Sequence, residues 1–184
     1  DETSRGLGDV YKRQAVTGDI SSLIAMKWQY EQDVSLDFDM KIMQEVISKE
    51  PLAAVTRDYD SEWNEVVSWV WYAMITAEEM GISSTNYESA DSSNPAVERL
   101  LYSNLGLGTD NNPLSDNWMQ NVLAAVGNYG EAYDRAFCDG DYDGVSGSDA
   151  MNGCLIHRSG TLNALVSEGG CLLYTSDAAD DNTC

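Results

Sequence analysis

The densest run of chemistry-bearing residues is CDGDYDGVSGSDAMNGC, residues 138–154. Asp139, Asp141, Asp143 and Gly144 match the first half of a calcium loop, where alternate carboxylates supply hard oxygens and a glycine allows the sharp turn. The second half departs from that pattern. Ala150 stands at the twelfth position, where a bidentate Glu is expected, and Asp149 comes one place early. Asp139, Asp141, Asp143 and Asp149 therefore form an incomplete calcium candidate, set against the plainer reading of an acidic, solvated loop. Cys138 and Cys154 bracket the loop. Their spacing leaves a disulfide in an oxidising compartment and two free thiols equally open. Elsewhere the chemistry is sparse. His157 is the single histidine, so no histidine-based metal cluster can form. Ser159 and Asp149 lie near it without a nucleophile-elbow motif. Glu78 and Glu79 end a helix and point in two directions, which makes a poor acid–base dyad. No residue is assigned a catalytic role, no cofactor is implied, and the chain reads as a non-enzyme.

The elements that must position these residues are mostly helical. DISSLIAMKWQYEQD reads as a helix capped by Asp19 or Ser21, with Leu23, Ile24 and Met26 on its apolar side. MKIMQEVIS and Leu52–Thr56 read as strands, the second because Pro51 disfavours a helix there. SEWNEVVSWVWYAMITAEEMG is the strongest helix. Asp60 or Ser61 caps it, apolar residues recur every three or four positions, and Gly81 suits a left-handed C-cap. Its Trp63, Trp69 and Trp71 could stack on a ligand, but core and rim packing is the ordinary role of such residues. NPAVERLLYS is a short helix with Asn94 as cap and Pro95 in the first turn. GLGTDNNPLSDN is a loop, and its GLG lacks the context of a dinucleotide fingerprint. SDNWMQNVLAAVGNYGEAYDRAF reads as one long helix capped by Ser115 or Asp116. Gly127 and Gly130 inside it would permit a bend or a close contact. SGTLNALVSEGG reads as a short amphipathic helix. Long helices among few strands indicate an α/β class.

The two ends do not fit this organisation. DVYKRQ back-translates as GAT GTG TAT AAG AGA CAG, whose reverse complement, read one base later, encodes CLLYTS. Residues 9–14 and 171–176 thus encode one short duplex in opposite orientations, as a sequencing adapter joined to both ends of an insert would. Residues 1–14 and 171–184 are expected to be adapter-derived, and a leader and a natural C-terminus to be missing by truncation. Setting the ends aside removes six acids and three bases and leaves 25 acidic against 7 basic residues. So acidic a chain repels phosphate backbones, which argues against nucleic-acid binding. No apolar run of about 18 residues exists, so no direct membrane insertion is expected.

Several segments, in order, resemble one known family: EVISKEPLAAVTR, EWNEVVSWVWYAMITAEEMGI, NPAVERLL, LSDNWMQNVLAAVGNYGEAYDR and SGTLNALVSEGG. These are similar to the C-terminal half of the general L-amino-acid-binding proteins of bacterial ABC transporters, a branch of the family 3 extracellular solute-binding proteins. The resemblance implies an incomplete type II periplasmic-binding-protein-like α/β fold of two lobes, with a helix-rich C-terminal half. On that basis residues 15–50 would end the second lobe, and residues 51–170 would return to the first lobe and supply the C-terminal helices. It also implies a periplasmic location, an L-amino acid ligand bound by lobe closure, and an inner-membrane ABC permease as partner. It favours the Cys138–Cys154 disulfide over free thiols. TGDISSL, Thr17–Leu23, matches the family's T-x-D-x-S-x-L turn, so Thr17 and Asp19 would bind ligand, Asp19 accepting from the α-ammonium. The residues alone offer Asp19 a capping role, and the two roles are compatible. The arginine that would clamp the ligand carboxylate belongs upstream of Ala15. The alternative function is a secreted, calcium-stabilised structural or adhesion module.

Overall fold

The computed structural model describes residues 15–35, 39–43, 45, 47–48, 53–142 and 151–171. The chain divides into two compact units, one ending at Leu52 and the other beginning at Ala53.

In the first unit, helix α1 spans Ile20–Glu31. Asp19 occupies its N-cap position with extended backbone, and its carbonyl accepts the Leu23 N–H at 2.9 Å. Lys27 and Glu31 form an ion pair one turn apart on the exposed face. The described residues of MKIMQEVIS are irregular backbone rather than the expected strand, with Met43 and Ile47 exposed. Residues 53–56 of the second expected strand are likewise irregular, and Val55 is exposed. A strand is stable only with a neighbour to share its ladder, and no partner strand for either segment is present among the described residues.

Among the described residues the second unit is built on four helices. Helix α2 spans Ser61–Glu79 and opens as expected, with the Asp60 carboxylate accepting the Trp63 N–H at 3.2 Å. It also closes as expected. Gly81 has φ +68°, its N–H donates to the Glu78 carbonyl, and the Ile82 N–H donates to Ala77. Those two bonds satisfy the last carbonyls of the helix in a Schellman turn. Helix α3 spans Pro95–Tyr102, with Asn94 accepting the Ala96 N–H at 3.0 Å. A two-residue hairpin follows, β1 (Gly108–Thr109) pairing antiparallel with β2 (Asn112–Pro113), where only a loop was expected. Gly108 has φ +90°, and a Cβ there would lie 2.6 Å from the Asn112 carbonyl oxygen, so the hairpin closes only around glycine.

The expected long helix is two. Helix α4 spans Trp118–Val126 and α5 spans Tyr129–Phe137. The break lies at Gly127, which has φ +75° and ψ −168°, and at Asn128, which caps α5. The cap of α4 is Asn117 rather than Ser115 or Asp116, and its side chain makes no capping bond. Asp116 instead accepts the Asn104 N–H. The core lies where the second half of α2 (Ala73, Met74, Ile75, Ala77) meets Val97, Leu100 and Leu101 of α3, Trp118, Met119 and Leu123 of α4, and Tyr129 and Tyr133 of α5. Gln120 and the Trp118 indole donate to the Leu101 and Ser103 carbonyls and so satisfy the end of α3. The final segment holds only a single 3-10 turn, Val166–Glu168, in place of the expected amphipathic helix. Its Val166 N–H goes to the Glu79 carboxylate of α2 instead of to a helix of its own.

Candidate functional site

Thr17, Gly18 and Asp19 form an exposed lead into α1, with the Asp19 backbone extended. The Asp19 side chain makes no capping bond, although the residue sits at the N-cap position. Its backbone serves the helix, while its carboxylate is presented to solvent at the positive end of the helix dipole. A charged acceptor so placed can receive an ammonium group.

The second unit holds an open groove of about 660 Å³ lined by residues 54–61, Asn64 and Glu65. The lining mixes Arg57 with Asp58, Asp60 and Glu65 around Tyr59, whose φ is +65°.

The most highly organised polar cluster lies elsewhere, inside the second unit. Arg158 is buried and reaches Glu78, also fully buried, through two parallel bonds, Nη1–Oε1 at 2.5 Å and Nη2–Oε2 at 3.0 Å. Its Nε donates to the Asn163 carbonyl at 2.7 Å. The guanidinium lies over the Tyr129 and Tyr133 rings, 5.1 and 5.4 Å from their centroids. Burial raises the phenol pKa values of Tyr129 and Tyr133, opposed in both by the Arg158 charge. Tyr142 is pushed up to about 12 by burial, reinforced by the nearby Glu78 carboxylate. Gly130 permits this assembly, since a Cβ there would lie 2.5 Å from Glu78 Oε1.

A second cluster adjoins it. Asn128 and Glu131 cap each other reciprocally at the start of α5. Glu131 also accepts from the backbone and hydroxyl of Ser84, and Asn128 Nδ2 donates to the Ile82 carbonyl. The loop after α2 is thereby fastened to α5. These residues use their bonding capacity on the protein itself, so both clusters are structural. Sequence reasoning assigned no role to Arg158 and set Glu78 aside. Their signals were a lone arginine in an otherwise acidic stretch and a glutamate one residue inside a helix end.

The remaining candidates separate cleanly. Cys138 and Cys154 are joined in a disulfide, as the resemblance implied. Asp139 and Asp141 are exposed, with Asp139 accepting the Asp141 N–H, while Asp143 and Asp149 lie outside the described residues. Among the described residues no group of three or more His, Cys, Asp and Glu side chains could hold a metal ion. His157 is exposed. Trp63, Trp69 and Trp71 are not core residues: they are 55, 39 and 48% exposed. Trp71 makes an edge contact with Tyr129 and Trp69 with Tyr72. Full burial in α2 is confined to its second half. Among the described residues no helix is long and apolar enough to cross a membrane.

Comparison with known proteins relates the chain to one class, the amino-acid-binding proteins, among them a periplasmic protein and an ABC transporter-binding protein. It is 44% identical over 132 residues to the general L-amino acid-binding periplasmic protein AapJ of Rhizobium johnstonii, covering 70% of this chain and 35% of the relative. It is 40% identical over 101 residues to the glutamate/glutamine/aspartate/asparagine-binding protein BztA of Rhodobacter capsulatus, covering 52% of this chain and 29% of the relative. The chain thus spans roughly a third of the curated relatives it matches. Among solved structures, an ABC transporter periplasmic binding protein from Brucella ovis with glutathione bound aligns with a TM-score of 0.46 and 35% identity, over 59% of this chain and 35% of that one. No family model matches. The relationship agrees with the family read from the motifs.

Proposed function

We propose that the chain is part of the substrate-binding component of an amino-acid ABC importer, taking up free L-amino acids in the periplasm by closure of two lobes. The observation that carries this reading is the 44% identity over 132 residues to a general L-amino-acid-binding periplasmic protein. A disulfide at Cys138–Cys154 is in keeping with an oxidising compartment. Asp19 is the ligand residue on this side of the cleft, accepting hydrogen bonds from the α-ammonium, with Thr17 beside it. Its carboxylate is exposed and not spent on capping α1, which leaves it available for that task. An inner-membrane ABC permease receives the loaded protein.

The test is calorimetry on the full-length protein with a panel of L-amino acids. Binding is expected, and Asp19→Ala should weaken it roughly 10- to 150-fold, the equivalent of one charge-assisted hydrogen bond of about 1.5–3 kcal/mol. Absence of heat with every amino acid, or an Asp19→Ala protein that binds as the parent does, removes the reading.

A further inference from the structure

The segment Met151–Cys171 has almost no regular structure, yet it delivers a charged side chain to the interior of the second unit. It is attached to the helices at three levels. At its start, the Cys138–Cys154 disulfide is flanked by two backbone bonds, Asp139 N–H to Asn152 O and Leu155 N–H to Phe137 O. In its middle, Tyr133 donates to the Ile156 carbonyl and Arg158 enters the Glu78 and tyrosine cage. Near its end, Val166 donates to Glu79.

We propose that the Cys138–Cys154 bridge is a redox-controlled clamp on this segment. When it is oxidised, the segment is seated with Arg158 against Glu78. When it is reduced, the segment lifts away from α2 and α5 while the helical core stays folded. The reasons are energetic and local. A buried ion pair returns little beyond the cost of removing both charges from water, so Arg158 and Glu78 hold the segment only weakly by themselves. The segment has no helix of its own to add cooperativity. The bridge restricts the unseated states and so favours the seated one. The hydrogen bonds that tie α4 to the end of α3, from Gln120 and the Trp118 indole, involve neither cysteine.

Reduction balances as ordinary thiol–disulfide exchange with a dithiol. One thiolate of the reductant attacks a bridge sulfur, forming a mixed disulfide and releasing the other cysteine, which takes up a proton. The second thiolate of the reductant then displaces the remaining cysteine. Two electrons and two protons pass to Cys138 and Cys154, and the dithiol becomes a cyclic disulfide. Both cysteines are partly exposed, which gives a reductant access.

Amide hydrogen exchange on the whole chain tests the clamp, comparing the oxidised protein with a Cys138→Ser/Cys154→Ser variant. That variant leaves the separate disulfide of Cys171 in place. The hydrogen-bonded amides of Thr161, Ala164, Val166 and Gly170 should exchange at least about tenfold faster in the variant, while those of α3 and α4 change by less than about twofold. A dithiol opens the Cys171 disulfide as well, so dithiol-treated parent protein should exchange in the segment at least as fast as the variant, again with α3 and α4 protected, and recover on reoxidation. Unchanged exchange in the segment overturns the proposal. So does a uniform rise across α3, α4 and the segment, which would make the bridge a general staple.

Discussion

At Glu78 a carboxylate with no exposed surface is balanced by a guanidinium from eighty residues further along the chain. Replacing Glu78 with Gln leaves the Arg158 charge buried without its counter-charge, and removing one partner of such a pair costs about 3–5 kcal/mol. A thermal melt of the Glu78→Gln variant should fall accordingly. The double change Glu78→Met, Arg158→Met should recover most of the loss, because no isolated charge is then left inside. A single-variant cost under about 1 kcal/mol would mean that the pair behaves as an exposed one. At this scale the sequence was legible where chemistry is local. Asp60 or Ser61, Asn94 and Gly81 are assigned capping roles from neighbours within a few positions, and Asp60, Asn94 and Gly81 fill them. The Arg158–Glu78 pair was not legible, since nothing in either neighbourhood names a partner so distant. Asp19 shows the converse: it stands at the N-cap position, but its carboxylate makes no cap bond.

Among the elements, the stretch Val126–Glu131 is the most instructive. Helical periodicity runs through it on both sides, so the pattern alone reads as one helix, while the backbone turns sharply at Gly127. The deciding bonds are those of Asn128 and Glu131, a capping pair legible in NYGE had the break been suspected. Asn128→Ala should cost about 0.5–2 kcal/mol for the lost cap, in the range of other such losses. Because Asn128 also holds the Ile82 carbonyl, the effect should lie toward the upper end. A urea denaturation midpoint measures it, and no shift would show that Glu131 alone secures the junction. The expected strands failed for a different reason. Composition can propose a strand, but only a paired neighbour can hold one, and the described residues contain just the two-residue hairpin of β1 and β2.

Over the second unit as a whole, three phenols share one acid–base tendency. Tyr129, Tyr133 and Tyr142 are all harder to ionise than an exposed tyrosine, chiefly because they are buried, and Tyr142 is pushed up to about 12. The folded state holds these protons more tightly than the unfolded chain, whose phenols titrate near 10. Their contribution to stability is therefore complete below pH 10 and drains away above it, for Tyr142 as the pH climbs toward 12. Denaturation midpoints taken across that window should decline, and Tyr142→Phe should make the decline shallower. An identical slope in the variant would assign the alkaline loss to other groups. The helix-rich character of this unit was open to sequence reasoning because each helix carries its own start and stop signals. The last segment was not, because what fixes it is the Glu79 carboxylate and the Arg158 seat rather than its own periodicity. One consequence follows from the way Gly127, Asn128, Gly130 and Glu131 are committed to joinery between helices. A new side chain at any of these four positions would therefore be felt in a neighbouring element as well as in its own helix.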